Sequence, residues 1–333
     1  MGLFIGAAIG SFLNALIYRM PRGLKISEPK NSFCPVCKSR LTILDLFPLL
    51  SWLLLRGRCR HCKAPIAARY FFVELITGSI FAFSWWQYMV AGWDPWRMAC
   101  LDLFAAALVT ATFIDLRFYI IPDQVNAFMF IIGIVYNIGL YVSHDPRATQ
   151  YGMPAALVGA FTGWAVLWGI TLLGRLLFGK DAMGHGDIKM ARGIGAMLFA
   201  AAALKSFALS IVFGSLFGVV AIIARKFIPE PETEESEDED EMWEPESIGS
   251  LLKCGFGYLT CLDIVGLCAP KFAEKYFGEN PYSVEEVNEE ETVPLTMIPF
   301  GPSLALGALA AVMFEPTLNR WIDAYLKYMT GGT

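Results

Sequence analysis

Long apolar runs alternate with short polar segments along most of the chain. A helix needs roughly 20 mostly apolar residues to cross a bilayer. Eight runs are near that length, although the sixth and the eighth are short for full spans. Their approximate limits are 3–20, 71–91, 97–114, 124–142, 153–178, 188–204, 206–225 and 298–314. The pattern predicts an all-α polytopic membrane protein with about eight transmembrane helices.

The composition also indicates a membrane protein. Of the 333 residues, 56% are hydrophobic and only 17% are charged, and the mean hydropathy is +0.50. A soluble domain usually carries about a quarter charged residues. There is no basic stripe with interleaved aromatic residues. We therefore expect the lipid bilayer, and no nucleic acid, among the partners of this protein.

The polar segment 19–69 is strongly basic and contains eleven Lys and Arg residues. Such loops remain on the cytoplasmic side of a membrane. Counting the spans onward places 115–123, 179–187 and 226–297 on the same side. No basic region precedes the run 3–20, so we interpret this run as a retained span and not as a secretory signal.

Four of the eight cysteines form two C-x-x-C pairs, Cys34 with Cys37 and Cys59 with Cys62, separated by 21 residues. Two such pairs are typical of a tetrathiolate zinc site in a reducing compartment. Four thiolates complete a tetrahedron and leave no position for a catalytic water. The pattern predicts a structural zinc ion, with His61 as a bystander.

Two aspartates lie at the predicted cytoplasmic ends of apolar helices. Asp115 ends the third run, and Asp187 follows Gly184-His185-Gly186. An ionisable residue at such a place is a candidate functional residue. Two carboxyl groups that share a proton can hydrolyse an amide, because one takes a proton from water while the other polarises the carbonyl. Gly184 and Gly186 leave room for a substrate strand to approach Asp187, so we consider them the active-site turn.

A structural role for the same residues stays open. Asp123 and Asp187 each lie where an apolar helix begins, and aspartate is a favoured N-cap; for Asp123 we favour capping. The spacing alone does not decide whether Asp115 and Asp187 are catalytic. Lys189 and Asp123 are candidate accessory residues of the site, but we favour a position for Lys189 at the lipid headgroups.

The segment 226–297 differs from the rest of the chain. It contains two acidic runs, 229–246 and 285–291, and the first is predicted to be disordered because it lacks apolar residues. The stretch 251–268 between them is apolar enough to dock on another surface, which the sequence does not identify, but its charges and glycines argue against a span. Its three cysteines are spaced seven apart, which predicts one shared helical face: Cys254, Cys261 and Cys268.

Six segments of the chain, together with the two cysteine pairs, form a combination of motifs whose order along the chain is informative. The segments are GSFLNALIYRMPRG (10–23), LFPLLSWLLLRGRCRHC (46–62), ARYFFVELITG (68–78), IDLRFYIIPD (114–123), GHGDIKM (184–190) and IPFGPSLALGA (298–308). Together they resemble the bacterial type IV prepilin peptidases, which belong to the GxGD class of membrane aspartyl peptidases. The resemblance covers nearly the whole chain except 226–297. The combination is specific, whereas no single segment is.

The resemblance implies an activity. Such enzymes remove the basic leader of prepilins or pseudopilins at the cytoplasmic face of the bacterial inner membrane. Many then N-methylate the new N-terminus with S-adenosylmethionine. The resemblance further implies that Asp115 and Asp187 are the catalytic pair and that the four paired cysteines bind zinc.

The resemblance also marks one departure, because the family usually has a brief connection where this chain has 226–297. We hypothesise that this acidic insertion attracts basic leaders, or a protein that assembles a pilus or secretion system. Deletion of 229–246 without any change in cleavage or partner capture would contradict the hypothesis.

Two other classes of function share some of these features. One is a non-catalytic membrane scaffold of a pilus or secretion system, which would not need two aspartates beside a glycine-rich turn. The other is a transporter with Asp115 and Asp187 as proton carriers. Carrier sites usually lie near the bilayer midplane and not at one face, so we favour the peptidase.

We accordingly expect five parts along the chain. They are a first transmembrane helix (1–20), a cytoplasmic zinc-binding domain (21–70), a transmembrane peptidase core (71–225), an acidic cytoplasmic insertion (226–297), and a last transmembrane helix with a C-terminal tail (298–333).

Overall fold

The computed structural model describes residues 1–25, 32–34, 36–42, 44–179, 183–225, 247–278, 281–282 and 299–329. The acidic runs 229–246 and 285–291 lie outside the described residues, so the disorder expected for the first stays a prediction. The described part contains twelve α-helices: α1 (Gly2–Arg19), α2 (Leu50–Leu54), α3 (Arg69–Trp85), α4 (Pro95–Phe118), α5 (Asp123–Val142), α6 (Ala155–Phe178), α7 (His185–Arg225), α8 (Ile248–Leu259), α9 (Leu262–Cys268), α10 (Pro270–Phe277), α11 (Gly301–Met313) and α12 (Glu315–Met329). Two short antiparallel strands, β1 (Thr149–Gln150) and β2 (Met153–Pro154), precede α6.

Five of these helices, α1, α4, α5, α6 and α7, are long and apolar enough to cross a membrane. The number rises to seven if each of two bent pairs forms one span: α8 with α9, bent by 76°, and α11 with α12, bent by 88°. The predicted run 71–91 forms α3 and the π-helical turn Trp86–Val90 that continues it. The structure thus confirms a helical polytopic membrane protein.

Helix α7 corrects a predicted boundary. The runs 188–204 and 206–225 both lie in this helix, and its backbone leaves helical geometry at Phe199 (φ 63°, ψ 172°), not near residue 205. A positive φ is costly for a bulky residue and persists where packing enforces it. Here the Phe199 ring stacks on Tyr136, with ring centroids 5.9 Å apart, and the Phe199 backbone lies against Gly159.

Glycines bring α7 into backbone contact with its neighbours. A Cβ on Gly159 would overlap the carbonyl of Gly195, and a Cβ on Gly163 would overlap that of Ala191, so no side chain separates α6 from α7 there. Gly133 of α5 packs on the α7 backbone in the same way. Within a bilayer, helices associate through such close packing because lipid tails are as apolar as the side chains.

Helix α4 lies in the centre of the bundle. It packs against α1, α3, α5 and α11, and 72% of its most apolar stretch is buried, the largest share among the five spanning helices. Asp115 lies in its last turn. The fold therefore brings this aspartate to one end of the core.

As the sequence predicts, helices α8 and α9 dock, and the surface that they pack against is that of α6 and α5. Cys261 lies at the bend between them in the left-handed conformation (φ 58°). Cys254 belongs to α8 and Cys268 ends α9. The expectation that the three cysteines share one helical face is wrong, because it required one continuous helix.

Helix α12 crosses the end of the bundle opposite to Asp115. Glu315 at its start forms an ion pair with Arg97 of α4, with 2.8 Å between Oε2 and Nη2. Lys205 of α7 donates a hydrogen bond to Asn319. Helix α12 therefore links α4 to α7.

The described residues between α1 and α3 form a small lobe around two reverse turns. Each C-x-x-C pair is enclosed by an isolated β-bridge, between Phe33 and Arg40 or between Arg58 and Pro65. The Leu49 N–H donates to Glu74 Oε2 of α3 at 2.7 Å. This bond attaches the lobe to the membrane helices.

Candidate active site and metal centre

Asp115 is buried where α4 meets α11. Its Oδ2 accepts a hydrogen bond of 3.0 Å from the Gly301 N–H, and its side chain is 5% exposed. Gly301 is the first residue of α11, where the backbone N–H groups have no partner within the helix. A Cβ at Gly301 would overlap the Asp115 carboxyl. The close approach of α11 therefore depends on this glycine.

Asp187 lies in the first turn of α7 and is half-buried. Its backbone N–H donates to the Gly184 carbonyl at 3.2 Å. Its Oδ1 is buried and has no hydrogen-bond partner among the described residues. A buried carboxylate oxygen is normally hydrogen-bonded. This oxygen is therefore ready to accept a water or a substrate group.

The structure brings Asp115 and Asp187 to the same end of the bundle. Ile121 lies between the backbones beside them: a Cβ on Gly186 would be 3.2 Å from Ile121 Cβ, and a Cβ on Gly301 would be 3.1 Å from Ile121 Cδ1. Three chain segments distant in sequence thus converge on one carboxyl pair.

Lys189 and Asp123 form an ion pair, with 2.7 Å between Nζ and Oδ1. Lys189 is only 8% exposed, and its Nζ lies 4.9 Å from the centroid of the Tyr258 ring. The expected position of Lys189 at the lipid headgroups is wrong, because its ammonium is held inside by an anion and an aromatic ring. The expected capping role of Asp123 is wrong as well, since Pro122 is the N-cap of α5 and Asp123 follows it within the helix.

Three residues near the turn were not singled out as site residues by the sequence: Arg192, Tyr258 and Asp263. Arg192 of α7 pairs with Asp263 of α9, with 2.7 Å between Nη2 and Oδ2. The Tyr258 hydroxyl is hydrogen-bonded to His185 Nδ1 at 2.6 Å. A signal for Arg192 was present in the sequence, because a charge within the predicted span 188–204 requires a partner.

A polar cavity lies between the turn and the docked helices, beside the hydrogen bond that joins His185 to Tyr258. Lys189, Asp123 and His185 line one part of it, and Tyr258, Asp263 and Phe277 line another.

The four paired cysteines converge in the small lobe. Their sulfur atoms all lie within 4.8 Å of one another, and Cys34 Sγ is 3.9 Å from Cys62 Sγ. Zinc–sulfur bonds of about 2.3 Å in a tetrahedron place the sulfurs about 3.8 Å apart. The cluster therefore fits a metal ion such as zinc. His61 is exposed and lies outside the cluster.

The thiols of the cluster differ in acidity. Hydrogen bonds with the side chain and backbone of Ser39 lower the pKa of Cys37 to about 6. The backbone hydrogen bond with Ala64 lowers the pKa of Cys62, but burial and the three neighbouring thiols raise it to about 11. A metal cation would balance the negative charge of thiolates that bind it in their deprotonated form.

Comparisons with known proteins relate the sequence to two family models. Residues 4–88 match the bacterial peptidase A24 N-terminal domain, and residues 103–219 match the type IV leader peptidase family. The four paired cysteines fall in the first range, and Asp115 and Asp187 fall in the second.

The relatives of this chain include proteins named prepilin leader peptidase/N-methyltransferase. That of Myxococcus xanthus (strain DK1622) is 34% identical over 98% of this chain and 93% of its own length. That of Aeromonas hydrophila is 36% identical over 65% of this chain and 79% of its own length. That of Neisseria gonorrhoeae is 31% identical over 67% of this chain and 80% of its own length. No solved structure matches the chain.

Proposed function

The chain belongs to the type IV leader peptidase family, and we propose that it cleaves the leaders of prepilins with Asp115 and Asp187 as the catalytic pair. It is an aspartic peptidase that crosses the bacterial inner membrane several times. Its relatives are named prepilin leader peptidase/N-methyltransferase, which supports both leader cleavage and N-methylation as its activities. Pseudopilins are substrates of the same chemistry, because they present the same kind of leader.

One observation supports the assignment of the catalytic pair. Asp115 and Asp187 come from different helices, and the glycine backbones beside them, Gly301 and Gly186, pack on the same Ile121 at one end of the bundle. The buried Asp187 Oδ1 has no hydrogen-bond partner among the described residues. Structural aspartates are normally paired with a cation or capped by backbone N–H groups. An oxygen without such a partner favours a catalytic role over a structural one.

In the proposed reaction the two carboxyl groups share one proton, because both cannot easily be ionised side by side. The ionised group takes a proton from a water molecule, and the neutral group donates a hydrogen bond to the scissile carbonyl oxygen. The water oxygen bonds to the carbonyl carbon, and the leaving amine receives a proton as the C–N bond breaks. The two apparent pKa values belong to the pair as a whole, so the shared proton is not assigned to either Asp115 or Asp187.

The membrane position of the pair suits a prepilin. Such a substrate has a basic leader followed by an apolar helix that can enter the bilayer beside the enzyme. Its cleavage site then lies near the headgroups, at the level of Asp115 in the last turn of α4 and Asp187 in the first turn of α7. The basic segment 19–69 favours the cytoplasmic side for this end of the bundle. A basic leader would be attracted to that surface by anionic lipid.

We further propose that Cys34, Cys37, Cys59 and Cys62 hold a structural zinc ion. When bound, zinc would fix the two reverse turns of the lobe to each other and occupy all four thiolates. No ligand position is left for water, so the hydrolytic step is assigned to the aspartates. Asp123 and Lys189 are proposed as accessory residues that support the site through their ion pair.

The methyl donor proposed for the second activity is S-adenosylmethionine, which supplies a methyl group to the new N-terminal amine. The described part of the chain has only the strands β1 and β2, which cannot form a Rossmann-type binding site for it. We assign no described residue to this donor. Failure to transfer a labelled methyl group to a cleaved prepilin would reject this second activity.

Leader cleavage by the purified protein in liposomes tests the proposed pair. We expect Asp115→Asn and Asp187→Asn each to lower kcat by at least about a hundredfold, the lower range for loss of a general acid or base. Asp323→Asn is the matched control, because Asp323 is exposed in α12. Cleavage that survives either of the first two substitutions in a folded protein would contradict the assignment.

A further inference from the structure

Two helices from the long segment after α7 reach the turn that carries Asp187. Tyr258, near the end of α8, is hydrogen-bonded to His185 Nδ1 at 2.6 Å. Asp263 of α9 accepts two hydrogen bonds from Arg192, of 2.8 and 2.7 Å. His185 precedes Asp187 by two residues and Arg192 follows it by five. The docked helices therefore hold α7 on both sides of the aspartate.

The contact with Arg192 is deeply buried. Arg192 is 2% exposed and Asp263 is 6% exposed, and Arg192 also donates a hydrogen bond to the Tyr258 carbonyl. A charge removed from water is stable only when it is paired and hydrogen-bonded. Helix α7 carries this arginine within an apolar span, and its partner comes from 71 residues further along the chain. Docking of α9 thus supplies the carboxylate that the buried Arg192 of α7 requires.

The turn before Asp187 needs such external support. Gly184 and Gly186 flank His185 and restrict the backbone less than other residues would. The Tyr258 hydroxyl fixes the imidazole between them. Tyr258 is itself held by stacking on Phe277 of α10, with ring planes 9° apart and centroids 5.5 Å apart. The contacts of Tyr258 therefore restrict the conformation of a turn that its glycines alone would leave free to vary.

We propose that Tyr258 and Asp263 are positioning residues for leader cleavage, which act through His185 and Arg192 to hold Asp187 in register with Asp115. This inference rests on the proposed catalytic role of Asp187. A displacement of about 1 Å costs a catalytic site about a hundredfold in rate. The docked helices therefore control turnover without contacting the scissile bond.

The test compares kcat and KM for a model prepilin between the full-length protein and its variants in liposomes. We expect Tyr258→Phe to lower kcat about tenfold or more, with KM within about twofold and an unchanged melting temperature. Tyr276→Phe is the matched control, because among the described residues the Tyr276 hydroxyl bonds only within the docked segment, to the Lys253 carbonyl at 3.2 Å. It should retain the parent kcat.

A second pair of variants examines the ion pair. Asp263→Asn should lower kcat more than Asp263→Glu, because glutamate keeps the charge that Arg192 requires. Glu274→Gln removes an exposed acidic group of α10 and should have no effect. If Asp263→Asn does not fold, the kcat of Tyr258→Phe by itself tests the positioning role.

Three outcomes would contradict a proposal, and they can be told apart. Parent-like kcat in Tyr258→Phe and in folded Asp263→Asn, beside an inactive Asp187→Asn, overturns the positioning role and leaves the proposed function intact. An increase in KM with unchanged kcat assigns the docked helices to substrate binding and also overturns it. Cleavage that survives Asp187→Asn overturns the proposed function itself.

Discussion

The backbone of Gly301 lies directly against the carboxyl group of Asp115. Its N–H donates to Oδ2 at 3.0 Å, and a Cβ at this position would overlap the same oxygen. The backbone at Gly301 has no positive φ, so other residues could adopt it. The requirement for glycine here is therefore one of space beside a carboxyl group and not one of conformation.

We predict that Gly301→Ala lowers kcat for leader cleavage by about tenfold to a hundredfold, because the added methyl must displace the Asp115 carboxyl. Gly169→Ala is the matched control. A Cβ at Gly169 of α6 meets no atom within 4 Å, so this variant should cleave at the parent rate. Equal rates in both variants would show that α11 can move away without cost.

At this scale the sequence identified the residue types but not their partners. Asp115 and Asp187 were found because charges beside apolar helices are conspicuous. The partner of Lys189 was missed because Asp123 lies 66 residues away, and nothing local specifies that distance. The same holds for Tyr258 and His185, which are 73 residues apart.

The contact between α6 and α7 leaves no space for added volume. Gly163 packs on the carbonyl of Ala191, the residue before Arg192. Any side chain there pushes α7 away from α6 near the segment that carries Asp187 and Arg192. The small residues of α6 are therefore part of the support of the site.

We predict that Gly163→Leu destabilises the protein by about 1–3 kcal/mol, the usual cost of overpacking, and also lowers leader cleavage. Gly218→Leu is the control, because a Cβ at Gly218 of α7 meets no atom within 4 Å. Thermal unfolding in detergent compares the two variants. A melting temperature of Gly163→Leu equal to that of the control would contradict the close helix contact.

Hydropathy predicted the positions of the apolar helices within a few residues, but it overestimated their number: it gave eight spans, whereas the described residues contain five helices that could cross a membrane, or seven with the two bent pairs. It did not predict the break at Phe199, since that break results from packing of Phe199 on Tyr136 and Gly159. It also could not show how α8 and α9 bend and dock, because the anchoring ion pair joins residues 192 and 263.

At the scale of the whole molecule, the metal lobe and the peptidase core are joined through α3. We predict that the purified protein carries zinc and that Cys34→Ser reduces the bound metal to background, because the remaining three thiolates no longer close a tetrahedron. The lobe should then be digested faster in limited proteolysis. Cys268→Ser, which changes an exposed cysteine outside the cluster, should keep the metal.

Metal content measured by mass spectrometry distinguishes these variants. Full metal content in Cys34→Ser would place the ion elsewhere. Loss of metal with unchanged digestion of the lobe would mean that the ion does not hold its two reverse turns together.

The crossing helix α12 has a mechanical consequence. Its ion pair with Arg97 lies 18 residues from Asp115 along α4, a lever of about 27 Å at 1.5 Å per residue. A tilt of only about 2° around that hinge would move the far tip by about 1 Å, the displacement at which catalysis begins to fail. The ion pair between Arg97 and Glu315 therefore contributes to the spacing of the two carboxyl groups through the length of α4.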